Sequence, residues 1–255
     1  MKPQPYPILE HDDSRSAFIE PTHVVKPMDI SEYCVLCFFQ DVFAGLNSEG
    51  RLKEVFKLGS EIGVNPVFEY DAGGRRVTVA HPGVGAPLAA AFLDELIALG
   101  CRKFIVCGGA GSLDPALTVG HLIVPDSAVR DEGTSYHYLP PSREVAADPR
   151  GMAAIEQTLE ARGLPYVRGK TWTTDAIYRE TPKRIAARRA EGCLTVEMEA
   201  STFFAVAAFR EVVLGQLLYG GDDLSGVEWD HRDWQGQTAV RRMMFEVSVD
   251  ACLRL

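Results

Sequence analysis

The chemistry-bearing feature of this sequence is a set of carboxylates beside glycine-rich turns. In VEMEAS, Glu197 and Glu199 flank Met198 where a short apolar strand runs into an apolar helix. Carboxylates entering a core need hydrogen-bond partners, because an unpaired buried charge is costly. A sugar diol is one such partner, since an ionised carboxylate accepts from both hydroxyls. A helix N-terminus, whose dipole favours acids, accounts for the same residues without a ligand. In LLYGGDDLSG an apolar strand delivers Asp222 and Asp223 into a Gly-rich turn. A partly desolvated carboxyl there can hold a proton near neutral pH and give it to a leaving nitrogen, although acidic turn residues are also common without function.

Two glycine-rich segments accompany them. HPGVGAP, residues 81–87, follows a strand and precedes a helix, so Gly83 and its neighbours could let backbone amides approach an anion; a plain tight turn explains them equally. The segment lacks the third glycine of a dinucleotide fingerprint and has no acidic strand end at the expected distance, which argues against a nicotinamide cofactor. CGGAG, residues 107–111, ends the next strand, and Gly108, Gly109 and Gly111 remove side chains where a flat base could stack, or simply make a turn.

The elements that must carry these residues alternate. YCVLCFF reads as a buried strand, Val77 to Ala80 and Lys103 to Cys107 as strands around a helix at Ala86 to Leu99, and Gly120 to Val124 as a strand reached through a loop. A helix at Arg150 to Arg162 precedes a strand at Tyr166 to Thr171. Pro182 to Ala190 is a helix with proline at its start, Leu194 to Val196 a strand, and Met198 to Phe209 a buried helix. Val212 to Tyr219 is a strand, and Gln235 to Leu255 closes the chain as an amphipathic helix. The expected fold is α/β: a single domain with a central mixed, twisted sheet flanked by helices, residues 26–255, behind an N-terminal extension, 1–25.

The bulk numbers bound the function. A net charge of -9 argues against nucleic acid or an anionic membrane as partner. The basic cluster Lys183, Arg184, Arg188 and Arg189 has the spacing of a solvated helix face. No stretch approaches the roughly 18 apolar residues of a membrane span, and MKPQPYPILEHDD is too polar for a secretory leader, so a cytoplasmic protein is expected. Six cysteines lie mostly in apolar runs, as reduced buried thiols do. Cys34 and Cys37 have CxxC spacing, but in a strand residues i and i+3 face opposite sides, so shared metal ligation is not expected.

Taken in order, from about Tyr33 to Leu255, these segments resemble the nucleoside phosphorylase and nucleosidase superfamily. VEMEAS is similar to the family's ribose segment, which implies Met198 against the sugar, Glu199 on its hydroxyls and Glu197 in support. HPGVGAP resembles the family's glycine-rich turn, CGGAGSL its loop beneath base and anion, and AVRDEG the strand end that follows. WTTDAIY resembles the base-side segment, which implies that Thr173, Thr174, Ile177 and Tyr178 line or support the base. LYGGDDLSG is similar to the segment in which purine-specific members keep their general acid, matched here by Asp222 with Asp223 next to it and Gly221 in place of the usual Ser or Thr. His23 falls where members lend a histidine to a neighbouring subunit's sugar. The resemblance implies a small-molecule nucleoside substrate, a role such as purine salvage, no cofactor beyond phosphate as possible co-substrate, and a homodimer or hexamer.

The sequence departs from the family where phosphate is held. The three segments that carry arginine in phosphorolytic members read FFQDVFAGL, EIGVNPVFEY and FIVCGG here, all without arginine. Phosphate needs charge-assisted hydrogen bonds, so water becomes the expected acceptor unless His81 or Arg130 supplies the contact. The Gln and Arg with which uridine-specific members read uracil are Thr181 and Lys183 here. A nucleoside-binding protein that has lost catalysis is the alternative from another class.

Overall fold

The computed structural model describes residues 3–255; Met1 and Lys2, at the start of the expected extension, lie outside the described residues. A 3-10 turn (Pro7–Leu9) and the short α1 (Pro21–Val24) lead into β1 (Tyr33–Cys37), α2 (Gln40–Ser48), β2 (Leu52–Ser60), β3 (Gly63–Asp71), β4 (Arg76–Ala80), α3 (Ala86–Leu99) and β5 (Lys103–Ser112). Then come β6 (Leu122–Asp131), β7 (Glu144–Ala146), α4 (Pro149–Ala161), β8 (Tyr166–Thr174), α5 (Pro182–Ala190), β9 (Cys193–Glu197), α6 (Ala200–Arg210), β10 (Val213–Asp223) and α7 (Thr238–Cys252).

The strands form one mixed sheet in the order β10-β6-β8-β9-β5-β1-β4-β3-β2, with β7 on β6. Because β10 also pairs with β5 along its length, β5, β9, β8, β6 and β10 close on themselves while β1, β4, β3 and β2 continue as an open sheet. The central strands read as unbroken apolar runs, Cys34 to Cys37 and Phe104 to Cys107 being fully buried, as parallel strands covered on both faces must be. Helices α4 and α7 pack on β10, β5 and β1, and α6, with α3 against it, packs on β10, β6 and β8.

Local chemistry explains the element ends. Pro87 in the first turn of α3 tolerates the missing amide, and Gly100, at φ 138°, stops the helix in a conformation that L side chains rarely adopt. Several elements differ from their sequence-based limits. β5 runs on through the glycines to Ser112, β6 occupies Leu122–Asp131 rather than 120–124, and α6 starts two residues after Met198. The hairpin β2–β3 and helix α2 carry no expectation from the sequence, because most hairpin residues are exposed or half-buried on both faces and show no clean alternation.

The six thiols are free and buried. Cys34 neighbours Cys101 and Cys252, whereas Cys37 neighbours Cys107, so the CxxC pair does face two different places. On the basic helix face Lys183, Arg184 and Arg189 are exposed as expected, and Arg188 is the exception: it is 9% exposed, donates to Asp131 at 2.9 Å and to Glu191 at 2.7 Å, and lies over the Trp172 ring. Among the described residues no helix is long and apolar enough to cross a membrane.

Candidate active site

The site begins at a break in strand pairing. Along one edge of β5, β1 pairs as far as Cys37 with Cys107, and β9 takes over only at Gly111 with Val196. Between them, Gly108, Gly109 and Ala110 keep β10 on the other edge but have no strand partner on this one. A cleft of about 590 Å³ opens there, with Gly108, Gly109, Ala110 and Gly111 in its lining.

The glycines serve a different purpose from the one their sequence implies. A Cβ on Gly108 would stand 2.9 Å from the Phe38 ring, one on Gly109 3.1 Å from Tyr219, and one on Gly111 2.5 Å from Leu224. Neighbouring side chains therefore fill the space that a Cβ would occupy, and what this arrangement leaves open is the strand edge. CGGAG is thus part of β5 rather than a loop.

Glu197 ends β9 and caps α6. Its Oε2 accepts from the backbone N–H of Glu199 at 2.7 Å and of Ala200 at 2.6 Å, and its Oε1 accepts from Thr173 Oγ1 at 2.6 Å. Glu199 reaches the other way, its Oε1 accepting from Gly85 N–H at 2.5 Å, which ties the 81–85 turn to the start of α6. The group held at the α3 N-terminus is therefore the chain's own carboxyl. Gly83, at φ 83°, packs on Leu88 and donates to His81 Nδ1 at 3.0 Å, and Val84 is the turn residue that lines the cleft.

Burial raises both Glu197 and Glu199 well above the ordinary carboxylate range, and each also feels a neighbouring carboxylate. The pair shares a proton near neutrality. We assign that proton to Glu199, because Glu197 has three donors and a helix N-terminus favouring its charge. Behind them, Thr173 accepts from Ser201 N–H at 2.9 Å, and buried Glu132 accepts from Ser201 Oγ and Thr202 Oγ1, each at 2.9 Å, and from two backbone amides. This network fixes the first turn of α6. Glu132 as its organiser was not legible in AVRDEG.

Asp222 and Asp223 part company at the end of β10. Asp222 lines the cleft and accepts from Trp229 Nε1 at 2.6 Å, whereas Asp223 is occupied by Ser225 N–H and Arg232. Met198 and Ile177 line the same cleft. Thr173 and Thr174 are buried behind it, Tyr178 is 95% exposed outside the lining, and His23, on α1, lies away from the cleft of its own chain.

Three lining residues come from elements that the sequence did not connect: Asp41 of α2, Gln216 of β10 and Arg241 of α7. Arg241 Nη2 stands 2.6 Å from Asp41 Oδ1, and its guanidinium lies over the Phe39 ring at 4.8 Å. Gln216 Oε1 and Asp41 Oδ1 are buried and have no hydrogen-bond partner, the Arg241–Asp41 approach being an ion pair without hydrogen-bond alignment. The lining holds five carboxyl side chains, Asp41, Glu180, Glu197, Glu199 and Asp222, against one guanidinium among the described residues. His81 adds no cation, since burial pulls its imidazole below the ordinary value and so keeps it neutral. Arg130 is excluded as an anion contact: its guanidinium donates to Ser135, Leu139, Pro140 and Ser142 and knits that loop.

A larger hollow, about 970 Å³, lies between the N-terminal segment and α3, near Asp94 and Arg210. Arg210 is neutralised there by Asp94 and Glu20, and the glycine, carboxyl and aromatic groups of the strand break are absent from its lining.

The model of the Phosphorylase superfamily matches residues 32–254. A guanosine phosphorylase from Halorubrum lacusprofundi is 30% identical over 144 residues, covering 56% of this chain and 60% of the relative. The alignments with the first curated relatives cover 37%, 60% and 59% of those proteins' own lengths. Among solved structures, purine nucleoside phosphorylase from Toxoplasma gondii in complex with immucillin-H aligns with a TM-score of 0.76 at 21% identity, over 89% of this chain and 92% of that one. AMP nucleosidase from Bacteroides thetaiotaomicron aligns with a TM-score of 0.70 at 22% identity, over 88% and 87%. At these identities the structures establish a shared fold.

Proposed function

The chain belongs to the Phosphorylase superfamily, and on that premise we propose that it is an enzyme that breaks the N-glycosidic bond of a nucleoside and transfers the sugar to water. The observation that carries the choice of acceptor is the charge of the cleft: its one guanidinium is held by Asp41 amid four further carboxyls. A phosphate dianion needs charge-assisted donors, and the cleft offers it a predominantly acidic wall instead. The buried Gln216 Oε1, which has no hydrogen-bond partner, suits a water, which brings an O–H donor to it.

In this reading Glu199 and Met198 hold the sugar, Glu197 fixes Glu199 through the first turn of α6, and the base lies along the open edge at Gly108 and Gly109. Thr173 and Thr174 support that wall from behind, and Ile177 flanks the base, whereas Tyr178, exposed outside the lining, does not. As the C1′–N bond breaks, its electron pair goes to the base and the proton of Asp222 joins the departing nitrogen. The water oxygen bonds to C1′, and its released proton returns through solvent to Asp222. Protonation of the leaving group contributes typically about 10²–10⁴-fold, and positioning of the reactants the rest. This chemistry needs no metal or organic cofactor. Residues 1–25 serve as an extension beside the 26–255 domain at an interface between copies of the chain, in a homodimer or hexamer, where His23 reaches the partner's sugar.

The test is base release from a panel of ribonucleosides in phosphate-free buffer, with Asp222→Asn as control. The reading expects turnover by the native enzyme and a loss of at least about a hundredfold in the variant. Ligand binding with no base released, or full activity of the variant, overturns it.

A further inference from the structure

Glu180 is a carboxyl that the glycosidic-bond mechanism leaves without a task. It follows the 3-10 turn Ile177–Arg179, is half-buried, and lines the same cleft as Asp222. Among the described residues its carboxyl has neither a hydrogen bond nor an ion pair, whereas Asp222 keeps the Trp229 indole on Oδ2 and has Oδ1 close to Gly111. Burial, and then the charge of Asp222, push Glu180 up to about 7. Glu180 therefore titrates across neutrality and above it faces the cleft as a carboxylate.

We propose that Glu180 is a specificity-determining residue that reads the edge of the base, selecting an amino-substituted purine over one bearing a carbonyl at the same position. The proposal rests on the glycosidic-bond reading. Ionised and with no donor of its own among the described residues, the Glu180 carboxylate presents free lone pairs to the cleft, and these require a donor. A 6-aminopurine presents a ring nitrogen and, next to it, an exocyclic N–H on one edge. The nitrogen takes the proton of Asp222 and the amine donates to Glu180. A 6-oxopurine sets carbonyl lone pairs against the carboxylate instead, which leaves the half-buried charge without a donor.

The test compares adenosine with inosine in kcat/KM, and adenine with hypoxanthine in binding by calorimetry, for the native enzyme, Glu180→Gln and Glu180→Asp. Native enzyme is expected to favour the amino compound in each pair by about tenfold or more. Glu180→Gln, whose amide can donate to a carbonyl, collapses that ratio by about tenfold, and Glu180→Asp, which retains the charge, keeps it. General structural damage lowers both members of a pair together and leaves the ratio unmoved. Equal or better use of the oxo compound by native enzyme, or an unchanged ratio in Glu180→Gln, overturns the assignment. Preferential binding of adenine without cleavage of any nucleoside supports Glu180 as the reader of the base while removing the catalytic reading.

Discussion

Replacing Glu199 by glutamine removes one ionisable group from a buried carboxyl pair and keeps an oxygen to accept from Gly85 N–H. Glu199 is 6% exposed and Glu197 8%, and both titrate above the ordinary range because of burial. The folded chain therefore holds protons that the unfolded chain releases. The stability this provides is complete below about pH 4, near the unfolded value, and is lost as pH rises through neutrality into the alkaline range. Every tenfold difference in proton affinity between the folded and unfolded chain corresponds to roughly 1.4 kcal/mol. Relieving a difference of about a hundredfold between coupled partners stabilises the protein by about 2–3 kcal/mol above pH 9. In a chain of this size each kcal/mol moves the melting temperature by about 2–4 °C, so Glu199→Gln should melt roughly 5–10 °C higher than native protein at pH 9 and about level with it at pH 5. Differential scanning calorimetry across that range provides the assay, and sugar binding should weaken in the same variant. Melting curves that run parallel to those of native protein at every pH would refute the shared buried proton.

Three other perturbations test separate parts of the structure. Asp222→Ala should abolish nucleoside turnover with an unchanged circular dichroism spectrum, and retained activity would move the acid elsewhere. Gly151→Ala should destabilise by about 1–3 kcal/mol in denaturant unfolding, because its Cβ would meet the backbone of Leu214 and Gly215 at 2.6–2.7 Å where α4 crosses β10. Arg241→Gln should cost about 1–2 kcal/mol by leaving Asp41 uncompensated at the cleft wall, and adding Asp41→Asn should recover part of that loss; strictly additive effects would mean that the pair does not interact.

The fold was legible wherever one element carried its own stop signals. Helix α3 has the limits that its composition and Gly100 dictate, and a strand does run into a buried helix at VEMEAS, with the helix starting at Ala200 rather than Met198. β5 was cut short because glycines read as a turn unless the side chains that fill their missing Cβ space are known, and Phe38, Tyr219 and Leu224 come from distant positions. The motif residues Glu197, Met198, Glu199 and Asp222 meet in one cleft, as their shared strand-end positions in an α/β sheet imply. Asp41, Glu180, Gln216, Trp229 and Arg241 escaped notice because none belongs to a local motif. They converge from separate elements, and only the closed strand arrangement brings them together.

The distinction between water and phosphate as acceptor is tested most directly by product identity. Native enzyme incubated with a cleaved nucleoside at saturating inorganic phosphate, followed by phosphorus and proton magnetic resonance, should release base together with free reducing sugar and no new phosphate ester, at a rate independent of phosphate. Formation of a sugar 1-phosphate in step with the base would contradict the account.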